Sequence, residues 1–226
     1  MNIRNIVILT QYFPPETGAP QNRLFSLAKF FKEKGVNVSV ITSLPSYPKS
    51  KIFSSYENKY IVKENISGIH VYRSWLFVSE SPKIIFRLIN YFSFVITSFL
   101  LGLRVVKKNT ELIICESPPL FLGITALILK KIKSTKLLFN VSDLWPQTAE
   151  ELGLIKNRFL LSMTKALEEY IYAKSDFLSG QTLGIVEDIS GRMKKEVFWY
   201  KNGHDFKFKC KQSNIKWRKK NGYKND

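Results

Sequence analysis

The chain has 226 residues, 45% of them apolar, with 35 basic and 18 acidic side chains and a formal net charge of +17. The length fits one large domain or two small ones, and the apolar content is ample for a core. The charge suits an anionic membrane surface or a phosphorylated substrate; nucleic acid is set aside, because the basic residues are spread along the chain without a nucleic-acid motif.

The first strand is read at Val7-Ile8-Leu9, a short run rich in β-branched residues. A loop of thirteen residues, 11–23, follows, with Pro14, Pro15 and Gly18, the glycine being expected to permit a turn that other residues resist. Leu24, Leu27, Ala28 and Phe31 then recur at helical spacing. A strand feeding a loop that opens a helix begins a parallel-sheet unit, whose ligands sit at the carboxyl ends of the strands. The helix start offers N–H groups to an anion, and thirteen residues is long for a plain connection. Gly35 reads as a helix C-cap and residues 36–41 as a second strand.

The proline-rich loop 43–51 can wall a cleft or form a solvated excursion. Residues 69–73 read as a third strand with His70 on its polar face. Residues 88–103 carry no charged side chain, while Lys83, Arg87, Asn90, Thr97 and Arg104 recur as a narrow polar stripe. A span needs about 20 apolar residues, so the length is borderline. The next strand, 111–115, should join the sheet that holds Val7, which argues against crossing a membrane. Segment 81–108 is therefore expected to be a helix with one side on the sheet and another at a membrane interface; the alternative is a helix wholly buried in protein.

A helix at 120–131, a strand at 136–141, a long helix marked by Phe159, Leu160, Met163, Leu167 and Tyr170, and short strands at 177–178 and 197–200 complete the alternation. The pattern predicts an α/β fold with a Rossmann-like, doubly wound, mostly parallel sheet. Cys115 reads as a small core residue far from Cys210, consistent with a reducing compartment, and the strand-first N-terminus predicts no signal peptide. Residues 207–226 hold seven lysines and one arginine with little apolar periodicity, and are expected to form a mobile tail.

The strand ends should bring together Glu16 and Gly18, then Glu116, then Ser142, Asp143 and Trp145. Carboxylates near a glycine-bearing anion loop suit deprotonation of an acceptor hydroxyl beside a phosphorylated donor. Each has a structural alternative: Asp143 can cap the helix near 147–151, Trp145 can pack, and Glu116 can be solvated. Histidine–cysteine metal spacing, a Walker-type loop and a hydrolase elbow are not found in the sequence.

Gln11-Tyr12-Phe13-Pro14-Pro15-Glu16-Thr17-Gly18-Ala19, the Pro45/Tyr47/Pro48 loop, Glu116-Ser117-Pro118-Pro119-Leu120-Phe121, Asp143-Leu144-Trp145-Pro146 with Glu151-Leu152-Gly153, and Asn202-Gly203-His204-Asp205 occur in that order. In series they resemble the N-terminal domain of family 4 retaining glycosyltransferases, in the branch of bacterial O-antigen, capsule and colanic-acid biosynthesis. The resemblance implies one half of a GT-B fold: an acceptor domain at 1–205, a basic tail at 206–226, and a donor domain expected to be absent from these residues, as in a truncated product, one subunit of a split transferase, or a fragment. It implies a sugar transferred from a nucleotide-sugar, expected to be a uridine-diphosphate sugar, to a lipid-linked saccharide, with neither metal nor cofactor. It assigns catalysis to Asp143, and substrate binding to Glu16, Gly18, Ala19, Arg23, Glu116, Ser142 and Trp145. Relatives often carry a histidine where Ser142 stands, which leaves the base open. The location implied is the cytoplasmic face of the cell membrane, with an anionic membrane surface and a donor-domain chain as partners. Two other classes compete: a non-catalytic membrane adaptor, and a dinucleotide oxidoreductase, against which the first loop speaks by lacking three close glycines.

Overall fold

A computed structural model describes residues 3–151, 153 and 157–201. The 202–205 motif, the 207–226 tail, Leu152 and Cys210 lie outside the described residues.

Eight strands form one sheet: β1 (Asn5–Leu9), β2 (Asn37–Ser43), β3 (Ile61–Ile66), β4 (Ile69–Ser74), β5 (Leu112–Ser117), β6 (Lys136–Val141), β7 (Phe177–Gly180) and β8 (Val197–Trp199). Their order is β3-β4-β2-β1-β5-β6-β7-β8, and all neighbours are parallel except the β3–β4 hairpin. The order reverses on either side of β1, the arrangement that opens a crevice at the strands' carboxyl ends. The expected Rossmann-like doubly wound sheet is thus the observed one. Strand β3 was not foreseen; its partner turn, Ser67-Gly68, has φ of 54° and 81°, the left-handed pair that closes a two-residue hairpin.

The helices are α1 (Ala19–Glu33), α2 (Ile84–Val105), α3 (Leu122–Lys133), α4 (Gln147–Glu151), α5 (Arg158–Lys174) and α6 (Leu183–Met193). The sheet separates two apolar layers. Ile6, Ile8, Val38, Val40, Ile69 and Val71 face α1 through Leu24 and Ala28. Val7, Leu9, Ile41, Ile113, Cys115 and Phe139 face α2, α3 and α5 through Phe94, Leu101, Leu122, Leu129 and Ile171. Successive strand residues point to opposite sides, so each central strand must be apolar throughout. Cys115 is buried in this core, as expected.

Two helices turn unexpected faces. In α5 the stripe that marks the helix in the sequence is on the outside: Phe159, Met163 and Tyr170 are 73%, 55% and 56% exposed. The buried stripe is Leu161, Thr164, Glu168, Ile171 and Tyr172. Its polar members are satisfied, since Glu168 accepts from Tyr172 Oη at 2.8 Å and pairs with Arg192 at 3.0 Å. In α2 the buried face is Phe94, Ser98, Leu101 and Gly102, and of the polar stripe only Asn90 and Thr97 turn inward, while Lys83, Arg87 and Arg104 are exposed. Asn90 Nδ2 donates to Phe77 O at 2.5 Å, and Thr97 Oγ1 donates to Trp75 O at 2.6 Å, binding the helix to the segment after β4. Ile85, Ile89, Phe92, Ile96 and Leu100, spaced three or four apart, are 41–60% exposed. By length and hydropathy α2 could cross a membrane, yet it packs on β2, β4 and α3 of the one sheet. It is not a wholly buried helix; only 17% of its most apolar 18-residue window is buried.

Candidate functional site

The loop between β1 and α1 divides into an open part and a locked part. Glu16 is 1% exposed. Its Oε1 accepts from the backbone N–H groups of Ser46 and Tyr47 at 2.8 and 2.9 Å, and Oε2 accepts from Phe13 N at 3.2 Å. It pins the first loop to the second. Burial raises its carboxyl above the usual range, and the three N–H donors pull the other way without overcoming it. Arg73, fully buried in β4, adds a second brace by donating to Pro14 O and to Ser43 O, and by pairing with Glu64. Arg73 was not foreseen as a site-shaping residue; its signal was a charge on the inward side of a strand.

Gly18 does not hold a left-handed turn. Its φ of 172° and ψ of 171° are extended backbone that any residue adopts, which corrects the expectation. A methyl group there would meet Gln21 Oε1 at 2.5 Å. Ala19 begins α1 with Pro20 behind it, and no side chain caps that helix start.

Arg23, Glu116 and Ser142 do converge, together with Asn140 and Ser179, which sequence reasoning missed. Arg23 Nη2 donates to Glu116 Oε1 and, at 2.8 Å, to Ser142 Oγ. Ser142 Oγ donates to Glu116 Oε1, and Asn140 Nδ2 to Glu116 Oε2 at 2.8 Å. Ser179 Oγ donates to Asn140 Oδ1 at 2.6 Å. The Arg23 and Glu116 side chains are only 2% and 3% exposed. The Arg23 guanidinium also lies 5.6 Å from the ring of Tyr200, whose phenol burial pushes up to about 12. Glu116 is therefore not a solvated residue. It ends β5, and this knot ties α1 to the ends of β5, β6 and β7.

Asp143 follows Ser142 at the rim, half-buried. Its Oδ1 accepts from Thr148 Oγ1 at 2.7 Å. That bond restrains the carboxylate from the side of α4 and leaves Oδ2 without a hydrogen bond among the described residues. Helix α4 is entered through Pro146, and Asp143 is held by a side chain of that helix rather than capping its N–H groups. Trp145 packs edge-on to Phe121 at 5.6 Å and covers Leu161. Among the described residues no group of three or more histidine, cysteine, aspartate or glutamate side chains is placed to hold a metal ion.

The polar groups that face open space lie elsewhere on the same sheet edge. A cavity of about 390 Å³ lies between the first two loops and the first turns of α2, and Gln11, Tyr12, Tyr47, Arg87, Asn90 and Tyr91 form its polar walls. Gln11 Nε2 donates to Asn90 Oδ1 at 2.7 Å, while Oε1 is buried without a partner among the described residues. Burial raises the phenols of Tyr12 and Tyr91, so both remain hydrogen-bond donors at neutral pH. Tyr12 and Tyr47 meet edge to face at 5.8 Å. The 43–51 loop is thus a cleft wall. Arg87 and Asn90, read in the sequence only as part of a helical stripe, line the site.

No family model and no curated protein matches the chain. Solved structures do. The catalytic domain of starch synthase IV from Arabidopsis thaliana, bound to ADP and acarbose, superposes with a TM-score of 0.59 at 14% identity, over 90% of this chain and 52% of that one. A sucrose-phosphate synthase from Thermosynechococcus elongatus gives a TM-score of 0.48 at 11% identity, over 96% and 97% of the two chains. Phytolacca americana UGT2, complexed with UDP-2fluoro-glucose and pterostilbene, gives 0.48 at 10% identity, over 97% and 57%. The chain spans about half the length of the starch synthase domain it matches. Its fold is that of one Rossmann-like half of a GT-B protein.

Proposed function

We propose that the chain is the acceptor-binding half of a glycosyltransferase that moves a sugar from a nucleotide-sugar to a lipid-linked saccharide, in the synthesis of bacterial surface polysaccharide. The observation that carries this reading is the pairing of a polar, aromatic-walled pocket with a helix whose apolar face points out, on one half of a GT-B fold. A saccharide offers hydroxyls to Gln11, Tyr12, Asn90 and Tyr91 and a ring face to Tyr47. The outward residues Ile85, Ile89, Phe92, Ile96 and Leu100 suit the headgroup–acyl boundary of a bilayer, and Lys83, Lys107 and Lys108 flank them for an anionic surface. An ordinary surface helix turns one apolar stripe to the core; α2 buries Phe94 and Leu101 there, carries a second apolar stripe outward, and sets Arg87 and Asn90 on the pocket.

In this reading, Asp143 orients or deprotonates the acceptor hydroxyl at the rim, with Oδ1 anchored by Thr148. The knot of Arg23, Glu116 and Ser142 fixes the rim's position. The open start of α1 at Ala19 faces the phosphate-bearing donor, whose nucleotide is held by a donor half carried on the same or another polypeptide. The donor is a nucleotide-diphosphate sugar, for which the ADP in the starch synthase structure is support and the uridine form is the choice of the sequence resemblance. The chemistry is retaining and acts at the cytoplasmic face of the membrane. An adaptor without catalysis would use the helix face equally well, but it would have no use for the pocket.

The test is a transfer assay with the full chain, lipid-linked saccharide in vesicles and several uridine-diphosphate sugars, with and without a polypeptide carrying a donor domain. Turnover is expected when the donor half is supplied, and none from the 226 residues alone. Absence of transfer with every donor half, alongside intact vesicle binding, would favour the adaptor.

A further inference from the structure

A second concavity lies at the opposite end of the sheet from the pocket. The lower part of β2, β3 and β4 borders it, where Ser39, Lys63, His70 and Tyr72 face that space beside Val7 and Ile61. The C-terminal turn of α2 forms the other wall through Leu101, Arg104 and Val105. The groove encloses about 740 Å³, and its lining contains no carboxylate. Four cations line it from four separate segments: Lys32 from α1, Lys63 from β3, Arg104 from α2 and Lys107 after it. Among the described residues no ion pair joins any of the four to a carboxylate. Lys63 is placed by the Tyr72 ring, 5.6 Å from its Nζ.

Like charges brought into one groove repel, so such a cluster is stable only where water or a bound anion screens it. The location identifies the anion. Leu100, 54% exposed, ends the outward apolar stripe, and Arg104 stands one turn further along the same helix. The stripe therefore runs into the basic groove. We propose that this groove binds the phosphate headgroup of an anionic lipid, seating the C-terminal end of α2 on the membrane while its N-terminal end holds the pocket. The proposal rests on the membrane-facing reading of α2 and adds to it a defined site, distinct from the acceptor pocket. Phosphate oxygens accept from the lysine ammonium groups and in two-pronged fashion from the Arg104 guanidinium. Tyr72 and His70 complete the wall.

The test compares the full chain with two triple variants of equal net charge. One is Lys63→Gln, Arg104→Gln and Lys107→Gln in the groove; the other is Lys131→Gln, Lys194→Gln and Lys201→Gln, none of which lines it. Each is titrated with vesicles of phosphatidylcholine alone and of phosphatidylcholine with one-fifth phosphatidylglycerol. Three surface cations near an anionic bilayer predict a loss of roughly 10- to 100-fold in the phosphatidylglycerol-dependent affinity of the groove variant. The other variant should keep most of it, and residual binding to neutral vesicles should be alike in all three. Equal losses in both variants would mean diffuse attraction by net charge and would overturn the site. A second arm titrates inorganic pyrophosphate by calorimetry without lipid. Pyrophosphate binding abolished by the groove substitutions, with no vesicle binding by any form, would overturn the lipid assignment and the membrane reading while leaving the acceptor pocket untouched. Vesicle binding that pyrophosphate fails to compete and the groove substitutions fail to weaken would overturn the groove alone.

Discussion

Two polar regions share the carboxyl edge of the sheet, and they are built in opposite ways. Around β5 and β6, Arg23, Glu116, Ser142, Asn140 and Ser179 bond to one another, and both charged members are almost wholly buried. Around the start of α2, Gln11, Tyr12, Tyr47, Arg87 and Tyr91 surround open volume. A buried charged pair is satisfied by its partners, and breaking it leaves an uncompensated charge. A polar wall beside a cavity keeps donors and acceptors available for something that enters. Residue type alone does not separate the two; what separates them is whether the partner is part of the chain. Residues of the kind expected to grip substrate thus include some that hold the site in shape.

Substitutions can sharpen that contrast, beginning with the largest effect. Asp143 follows the knot residue Ser142 and does not line the α2 pocket, and in a complemented enzyme Asp143→Asn should lower turnover by about 10²–10⁴-fold, the range for loss of a general base. Its unfolding free energy should hardly move, since Thr148 can donate to the amide oxygen as well. A fully active Asn variant, or one that fails to fold, would return Asp143 to a structural role. Within the knot, Glu116→Ala should cost about 3–5 kcal/mol of stability in urea unfolding, because Arg23, Ser142 and Asn140 lose the buried carboxylate to which all three donate. The double variant Arg23→Met with Glu116→Leu should be more stable than Glu116→Ala. A single substitution without cost would dissolve the distinction between the regions.

In the pocket the signs reverse. Arg87→Gln with Tyr91→Phe should raise the KM for the lipid-linked acceptor by roughly tenfold, about 1.4 kcal/mol, with little change in the urea midpoint. The smallest effect concerns Glu16, which belongs to the locked class. Burial raises its folded-state carboxyl above the unfolded value, so the native state binds more protons between the two. Stability from this group is therefore fullest below the unfolded value near pH 4.5 and declines as pH rises through the folded value. Urea midpoints of the wild type should fall relative to Glu16→Gln over that interval. A relative rise would mean that the three backbone donors outweigh burial.

Much of this fold was legible in the residues. Central strands β1, β5 and β6 are continuous apolar runs because both faces are covered, and their parallel order followed from the alternation with helices. Strand β3 escaped because it is an edge strand whose Lys63, Glu64 and Asn65 dilute the pattern, leaving Ser67-Gly68 as the only signal. Helix α6 escaped because Gly184 and Gly191 interrupt it, although Thr182 caps it by accepting from Ile185 N. In α5 the more apolar stripe faces out, since Glu168 and Thr164 find partners inside. At the site, strand-end position alone brought Glu116, Ser142 and Asp143 together. Whether they meet a ligand or each other depended on Arg23, which stands 93 residues before Glu116 and comes from a different layer. No local pattern carries that information. The α2 stripe of Arg87 and Asn90 was visible, but that both line a pocket depended on the loops that close over them.

The most direct test of the division is hydrogen exchange on the full chain, with and without a water-soluble acceptor analogue, a sugar diphosphate bearing a short prenyl tail. Added protection is expected at the amides of 11–12, 46–47 and 86–91, around the α2 pocket, with no change at 116–117 and 140–142. Protection centred on 116–117 and 140–142, with 86–91 unchanged, would contradict it.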